Sequence, residues 1–75
     1  MSFKEAQTVF GDSDALIAFD ALNSDQEERF IILGMSLRRN VLIVCHCYRT
    51  GDLIRIISAR KATKNETRQY EKGSV

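Results

Sequence analysis

One histidine and a scattered set of arginines hold most of the chemical capacity of this chain. His46 lies in the run VLIVCHCYR, which Arg49 closes. Arg55 and Arg60 stand in the next apolar run, IRIISAR, with Lys61 directly after it and Lys64 and Arg68 further on. Such a set suits phosphate, because a guanidinium stays protonated and offers planar, paired donors to its oxygens. Cutting an RNA strand without a metal needs a group that takes the 2′-hydroxyl proton and another that protonates the leaving 5′-oxygen. It also needs fixed cations around a phosphorane whose charge grows in the transition state. Imidazole titrates near neutral pH and fits a proton-carrying role. Arg60, Arg49 and Arg55 fit the fixed charge, and Lys61, Lys64 and Arg68 the flanking phosphates. The bland account of His46 is a hydrogen-bonded structural residue near a strand end.

These residues need a scaffold. Val41 to Arg49 is apolar on both faces until its last residues, as a covered central strand should be. Thr50-Gly51 supplies a turn, and Leu53 to Arg60 returns. A two-residue turn sets His46 opposite Arg55 and Val41 opposite Arg60; a longer one changes those pairs, and the sequence leaves the register open. On this reading the guanidiniums of Arg49, Arg55 and Arg60 converge into a single anion pocket. Thr63-Lys64-Asn65-Glu66 is a capping box that opens a helix to about Lys72. Lys64, Arg68 and Lys72 recur at four-residue spacing as a cationic stripe, beside the positive end of the helix dipole.

Upstream, Ser2 and Glu5 have the spacing of another capping box. Phe3, Ala6, Val9 and Phe10 fall on one helical stripe, and Gly11 is placed to end that helix in a left-handed conformation. Ala15 to Phe19 reads as a strand, 23–27 as a polar loop, and Arg29 to Ser36 as a second strand around Phe30-Ile31-Ile32-Leu33. Arg38-Arg39-Asn40 turns the chain back. The order predicts an α+β fold, a small antiparallel four-stranded sheet flanked by an N-terminal and a C-terminal helix.

The length of 75 residues sets one domain, 1–75. A chain this short buries only about 60% of its unfolded surface, which makes its stability thin. No secretory signal pattern and no apolar run near the ~20 residues that span a bilayer is present, so the expectation is a cytoplasmic chain with no membrane contact. Charge is divided. Residues 1–37 hold seven acids against Lys4 and Arg29, or −5; residues 38–75 hold nine bases against Asp52, Glu66 and Glu71, or +6. That layout can steer an anionic partner to one face, although two solvated halves paired with each other would give the same count. Cys45 and Cys47 flank His46, but strand alternation sends the thiols one way and the imidazole the other. With no further Cys or His, no metal site is expected, and no cofactor. Walker, dinucleotide, Ser-His-Asp and paired-carboxylate glycosidase motifs are absent from the sequence.

Five segments, SFKEAQTVF, DSDAL, EERFIILG, VCHCYR and IRIISARKATKNE…Y, resemble the BrnT toxins of bacterial toxin–antitoxin pairs. The resemblance covers nearly the whole chain. It implies a RelE-like fold, a ribosome-independent ribonuclease that slows growth, and a BrnA-type antitoxin that binds the toxin as a hetero-oligomer and with it represses their operon. It also implies that Arg60 is the leading site residue, with Arg49 and Arg55 on the phosphate side and His46 as proton carrier. Two departures stand out. BrnT chains usually open with a strand carrying a Glu-Trp-Asp-like run and a basic helix ending in Lys-His-Gly, whereas this sequence starts at SFKEA. A histidine is also usual where Asn23 stands. The intact later motifs favour a true start upstream of Met1 over a shortened relative. Two rivals to a ribonuclease remain, a non-catalytic nucleic-acid-binding module and a degenerate toxin that only binds antitoxin.

Overall fold

The computed structural model describes residues 2–23, 27–51 and 53–73. Helix α1 (Phe3–Thr8) and a 3-10 turn (Val9–Gly11) precede strand β1 (Leu16–Phe19). A second 3-10 turn (Ala21–Asn23) leads toward β2 (Phe30–Met35), β3 (Val41–Tyr48) and β4 (Ile54–Lys61), and α2 (Lys64–Lys72) follows. The strands form one sheet in the order β1-β2-β3-β4, with every neighbouring pair antiparallel. The predicted α+β meander with a helix at each end is the observed architecture. No helix among the described residues is long and apolar enough to cross a membrane.

The N-terminal helix departs from its sequence signals in two ways. Ser2 caps it, its Oγ accepting from the Glu5 N–H at 3.1 Å. Glu5 does not reciprocate. Its Oε2 instead accepts from Ser36 Oγ at 2.7 Å and Asn40 Nδ2 at 2.8 Å, so the carboxylate pins α1 to the β2–β3 turn. These two bonds, Asn40 first, hold the Glu5 carboxyl below its usual range. The helix then ends at Thr8 and tightens into the 3-10 turn, and Gly11 is not among the residues with positive φ. At the other end of the chain the capping box holds. Thr63 and Glu66 form the complete capping box, and Gly73 closes α2 in the left-handed region at φ 76°.

Ala6 and Val9 are buried against Ile32, Leu42 and Val44, with Phe10, Ala15, Ile56 and Ala59 around them. This cluster lies on the face of the sheet that α1 covers. Gly34 lets the two layers approach: a Cβ there would stand 2.8 Å from Val9 Cγ1 and 2.9 Å from Ala15 Cβ. From α2, Tyr70 donates to Asp12 Oδ2 at 2.6 Å, and the same oxygen accepts from the Met35 N–H at 2.8 Å. Burial alone would raise the Asp12 pKa, but the Met35, Tyr70 and Asp14 bonds outweigh it and the net direction is down. Tyr70, in turn, is pushed up to about 12, chiefly by its bond to Asp12. One carboxylate thus joins the 3-10 turn, β2 and α2.

The contact at Gly34 makes an overpacking test. Gly34→Ala should lower the unfolding free energy by about 1–3 kcal/mol, because the new methyl has no room beside Val9 and Ala15. Urea denaturation checks it, with a lower midpoint expected at an unchanged slope.

Candidate nucleic-acid interface

The β3–β4 hairpin is not joined by a two-residue turn. Its ladder ends at Tyr48 and Ile54, and the Arg49 N–H donates to the Leu53 carbonyl across the connection at 2.8 Å. The register also shifts at Cys45/His46, where Cys45 pairs with Ser58 but His46 pairs with Ile56. Ile57 is therefore the extra residue of a β-bulge. Arg55 lies opposite Cys47, and Arg60 opposite Ile43. This corrects both predicted pairs, His46 with Arg55 and Val41 with Arg60.

The bulge decides which side chains share a face. Arg55 and Arg60 are five positions apart, so a regular strand would send them to opposite faces. With Ile57 squeezed out they follow Cys47 and Ile43, which are four residues apart on β3 and face the same way. Their Cα atoms are then separated by about 13 Å along that face. Carrying the β2–β3 register one residue past Phe30↔His46 places Arg29 beside Cys47. Alternation past Tyr48 likewise sends Arg49 to the Cys47 side. Arg29, Arg49, Arg55 and Arg60 line one face of the sheet. Arg29, which the sequence reading did not select, was hidden by its position in the acidic half of the chain.

The remaining predicted residues divide. Lys61 pairs with Leu42 and so belongs to the α1 side, where it borders a cavity of about 460 Å³ with Ser2, Glu5, Arg38 and Asn40. Lys64 and Arg68 are exposed along α2. His46 is buried on the α1 face, with no solvent exposure. Phe10 meets its ring edge-on at 4.9 Å, and Tyr48 does so at 5.2 Å. Its Nδ1 lies 3.5 Å from the Val44 carbonyl and its Nε2 3.3 Å from the Tyr48 hydroxyl. Burial depresses its pKa, against the opposing Val44 bond. As the sequence predicts, Cys45 and Cys47 face the other way; both are free, Cys47 buried and Cys45 half-buried.

Arg60 is held rather than loose. Its Nη1 and Nη2 donate to Glu66 Oε1 and Oε2, each at 2.8 Å, and Nη1 also reaches the Lys61 carbonyl at 3.2 Å. Glu66 Oε1 accepts the Thr63 N–H as well, at 2.8 Å, so one carboxylate serves the helix cap and the arginine together. The Arg60 bond, followed by the Thr63 backbone bond, lowers the Glu66 pKa to about 2. A guanidinium has five N–H donors. These three bonds leave the Nε–H and one Nη2–H, a side-on pair, on a side chain that is 56% exposed. The expected single anion pocket is thus replaced by a row, because the strand spacing keeps Arg60 apart from Arg55 and Glu66 anchors it. At the row's other end Glu27 Oε1 lies 3.9 Å from both Arg29 Nε and Arg55 Nη1.

Residues 1–66 match the family model described as the ribonuclease toxin BrnT of type II toxin–antitoxin systems. The chain belongs to the BrnT family. No curated protein matches it. The match takes in the arginine face, and it runs through Glu66 of α2. A BrnT chain is a ribonuclease toxin by family and has a cognate antitoxin by system type.

The Glu66 carboxyl carries a pH signature. Its folded pKa of about 2 lies below the ordinary 4.5, so its stabilisation is present above pH 4.5 and is lost as the pH falls toward 2. Because Arg60 is largely exposed, solvent screening reduces the pair to about 1 kcal/mol. Wild-type and Glu66→Gln chains, compared by urea denaturation across that window, should converge in stability as the pH drops. A constant gap would disprove the assignment.

Proposed function

We propose that this chain is an endoribonuclease toxin that cuts RNA without the ribosome and without a metal. We propose further that a BrnA-type antitoxin neutralises it in a cytoplasmic hetero-oligomer. The observation that carries the reading is the row of guanidiniums on one sheet face of a BrnT-family chain, with Arg60 pre-oriented by Glu66 and its side-on donors open. A planar donor pair already fixed in direction loses little freedom on meeting a phosphate, and so holds an RNA strand in place along the face. Arg60 takes the central role, Arg55 and Arg49 hold the strand beside it, and Lys64 and Arg68 extend the positive surface along α2. Lys61 stays outside the row, on the α1 side. His46 has no solvent exposure of its own, so it does not touch substrate and its proton-carrying role falls to another group.

A second reading, a chain that binds RNA or antitoxin without cutting, draws on the same Arg60–Glu66 pair: a phosphate would share its arginine with a carboxylate. The assay that separates them uses the purified chain, an unstructured RNA and EDTA. Cleavage is expected in the wild type and should fall by about 100-fold in Arg60→Ala, which lets the strand shift on the face, with the circular dichroism spectrum kept. Binding with no cleavage by the wild type would favour the second reading. Affinity for single-stranded RNA should fall with salt at a log–log slope of about −2 to −3, as three or four phosphate contacts release counterions. A flat response would remove the phosphate-reading face.

A further inference from the structure

We propose that Glu27 is the general base of this site and takes the 2′-hydroxyl proton of an unpaired nucleotide at the end of the sheet. The inference rests on the ribonuclease reading above. Glu27 and Glu66 each contact an arginine of the row, but they differ in what they can do. Both oxygens of Glu66 are engaged by Arg60, and one also by the Thr63 N–H. Such a carboxylate is a weak base and a good anchor. Glu27 instead stands off from its arginines, at 3.9 Å from each, with its side chain 34% exposed. It can be reached by a hydroxyl while Arg29 and Arg55 hold the adjoining phosphate.

The surroundings of Glu27 also suit a nucleotide. Glu27, Glu28, Phe30 and Tyr48 line an open cavity of about 360 Å³. The Tyr48 ring is packed against Phe30 at 5.4 Å on one side, and the residue is 50% exposed. An exposed aromatic ring is a stacking platform for a base that has left its helix. Glu27 sits where this aromatic end meets the arginine face: a backbone running along the arginines can turn its base over the rim onto Tyr48. That bend brings the ribose past the Glu27 carboxylate. An unpaired strand can bend this way and a duplex cannot.

The step balances without a metal or a further co-reactant. Glu27 accepts the 2′-hydroxyl proton, and the 2′-oxygen forms a bond to the neighbouring phosphorus. The bond from phosphorus to the 5′-oxygen breaks, and that oxygen leaves with the electron pair and takes a proton from water. The products are a 2′,3′-cyclic phosphate and a 5′-hydroxyl end. Glu27 then returns its proton to solvent.

The test uses the full chain and its Glu27→Gln variant. Cleavage of single-stranded RNA is followed across pH, and binding is measured on the same oligonucleotide carrying 2′-O-methyl groups, which cannot react. The variant should lose about 100-fold or more in kcat, the usual scale of general-base catalysis, and the acid limb of its pH–rate profile should disappear. Its binding should be unchanged or tighter, because a negative charge beside the phosphate has gone. Duplex RNA should be cut at least tenfold more slowly than the single strand by the wild type. Glu27→Gln cleaving at the wild-type rate, or losing binding and cleavage in parallel, would overturn the assignment and leave the ribonuclease reading standing. No cleavage by the wild-type chain would overturn both.

Discussion

A single extra residue in β4 sets the layout of the candidate site. The β3–β4 ladder runs in register from Leu42↔Lys61 to Cys45↔Ser58, then skips Ile57 and resumes at His46↔Ile56. A bulge costs local hydrogen bonding and bends the strand, and it is kept where a side chain must be re-aimed. Here the re-aimed side chain is Arg55. An unbulged strand would turn it onto the α1 face opposite Tyr48, the place that Ile54 holds, and away from the other arginines. The bulge resolves two demands at once. It lets Ile56 and Ala59, three positions apart, both pack on the core cluster, and it lets Arg55 and Arg60, five apart, both face out.

The second constraint is how α2 is moored. Its N-terminus is fixed by Thr63 and Glu66, and its body by the Tyr70 hydroxyl on Asp12. The helix buries no residue fully, so packing area is not what holds it. Its position rests on a few polar bonds, each worth about 0.5–1.5 kcal/mol, or 1.5–3 where one partner is charged. The Arg60 orientation depends on the same carboxylate that caps the helix. Anything that frays α2 from its first turn therefore also releases Arg60, and anything that draws Glu66 from Arg60 weakens the cap. Local stability and the direction of one guanidinium are a single equilibrium.

What the sequence disclosed, and what it hid, follows the range of the interactions. Strand limits fall within about one residue of the apolar runs, and α2 is as its capping box predicts, because that signal acts over three or four residues. The α1 box was legible only in half. The Ser2 bond is local, but Glu5 is claimed by Ser36 and Asn40, which the sequence places 31 and 35 residues away. The bulge is hidden for the same reason: nothing in IRIISARK marks Ile57 as surplus until its pairing with β3 is known. Arg60 was correctly placed on β4, yet its pairing with Glu66 links a strand to a helix cap and leaves no periodic trace. Arg29 stands in the acidic half, away from the other arginines in sequence. The site was legible as a list of cations, and not as a face.

The two faces of β3 show why function and stability can vary separately in so small a chain. Leu42, Val44 and His46 point to α1 and are all fully buried. Ile43, Cys45 and Cys47 point to the arginine side and serve as its apolar floor. A histidine fits the first set only while neutral. Its depressed pKa means that the unfolded chain binds the proton more readily, so stability declines as the pH falls below the ordinary value near 6.5 until the folded pKa is passed. That dependence belongs to the core, and the arginine row lies across the sheet. Acid therefore acts on this molecule by two separate routes. It loosens the aromatic layer around His46 from behind while it protonates carboxylates in front. A rate measured against pH reports the front only where the fold is shown, at each pH, to be intact.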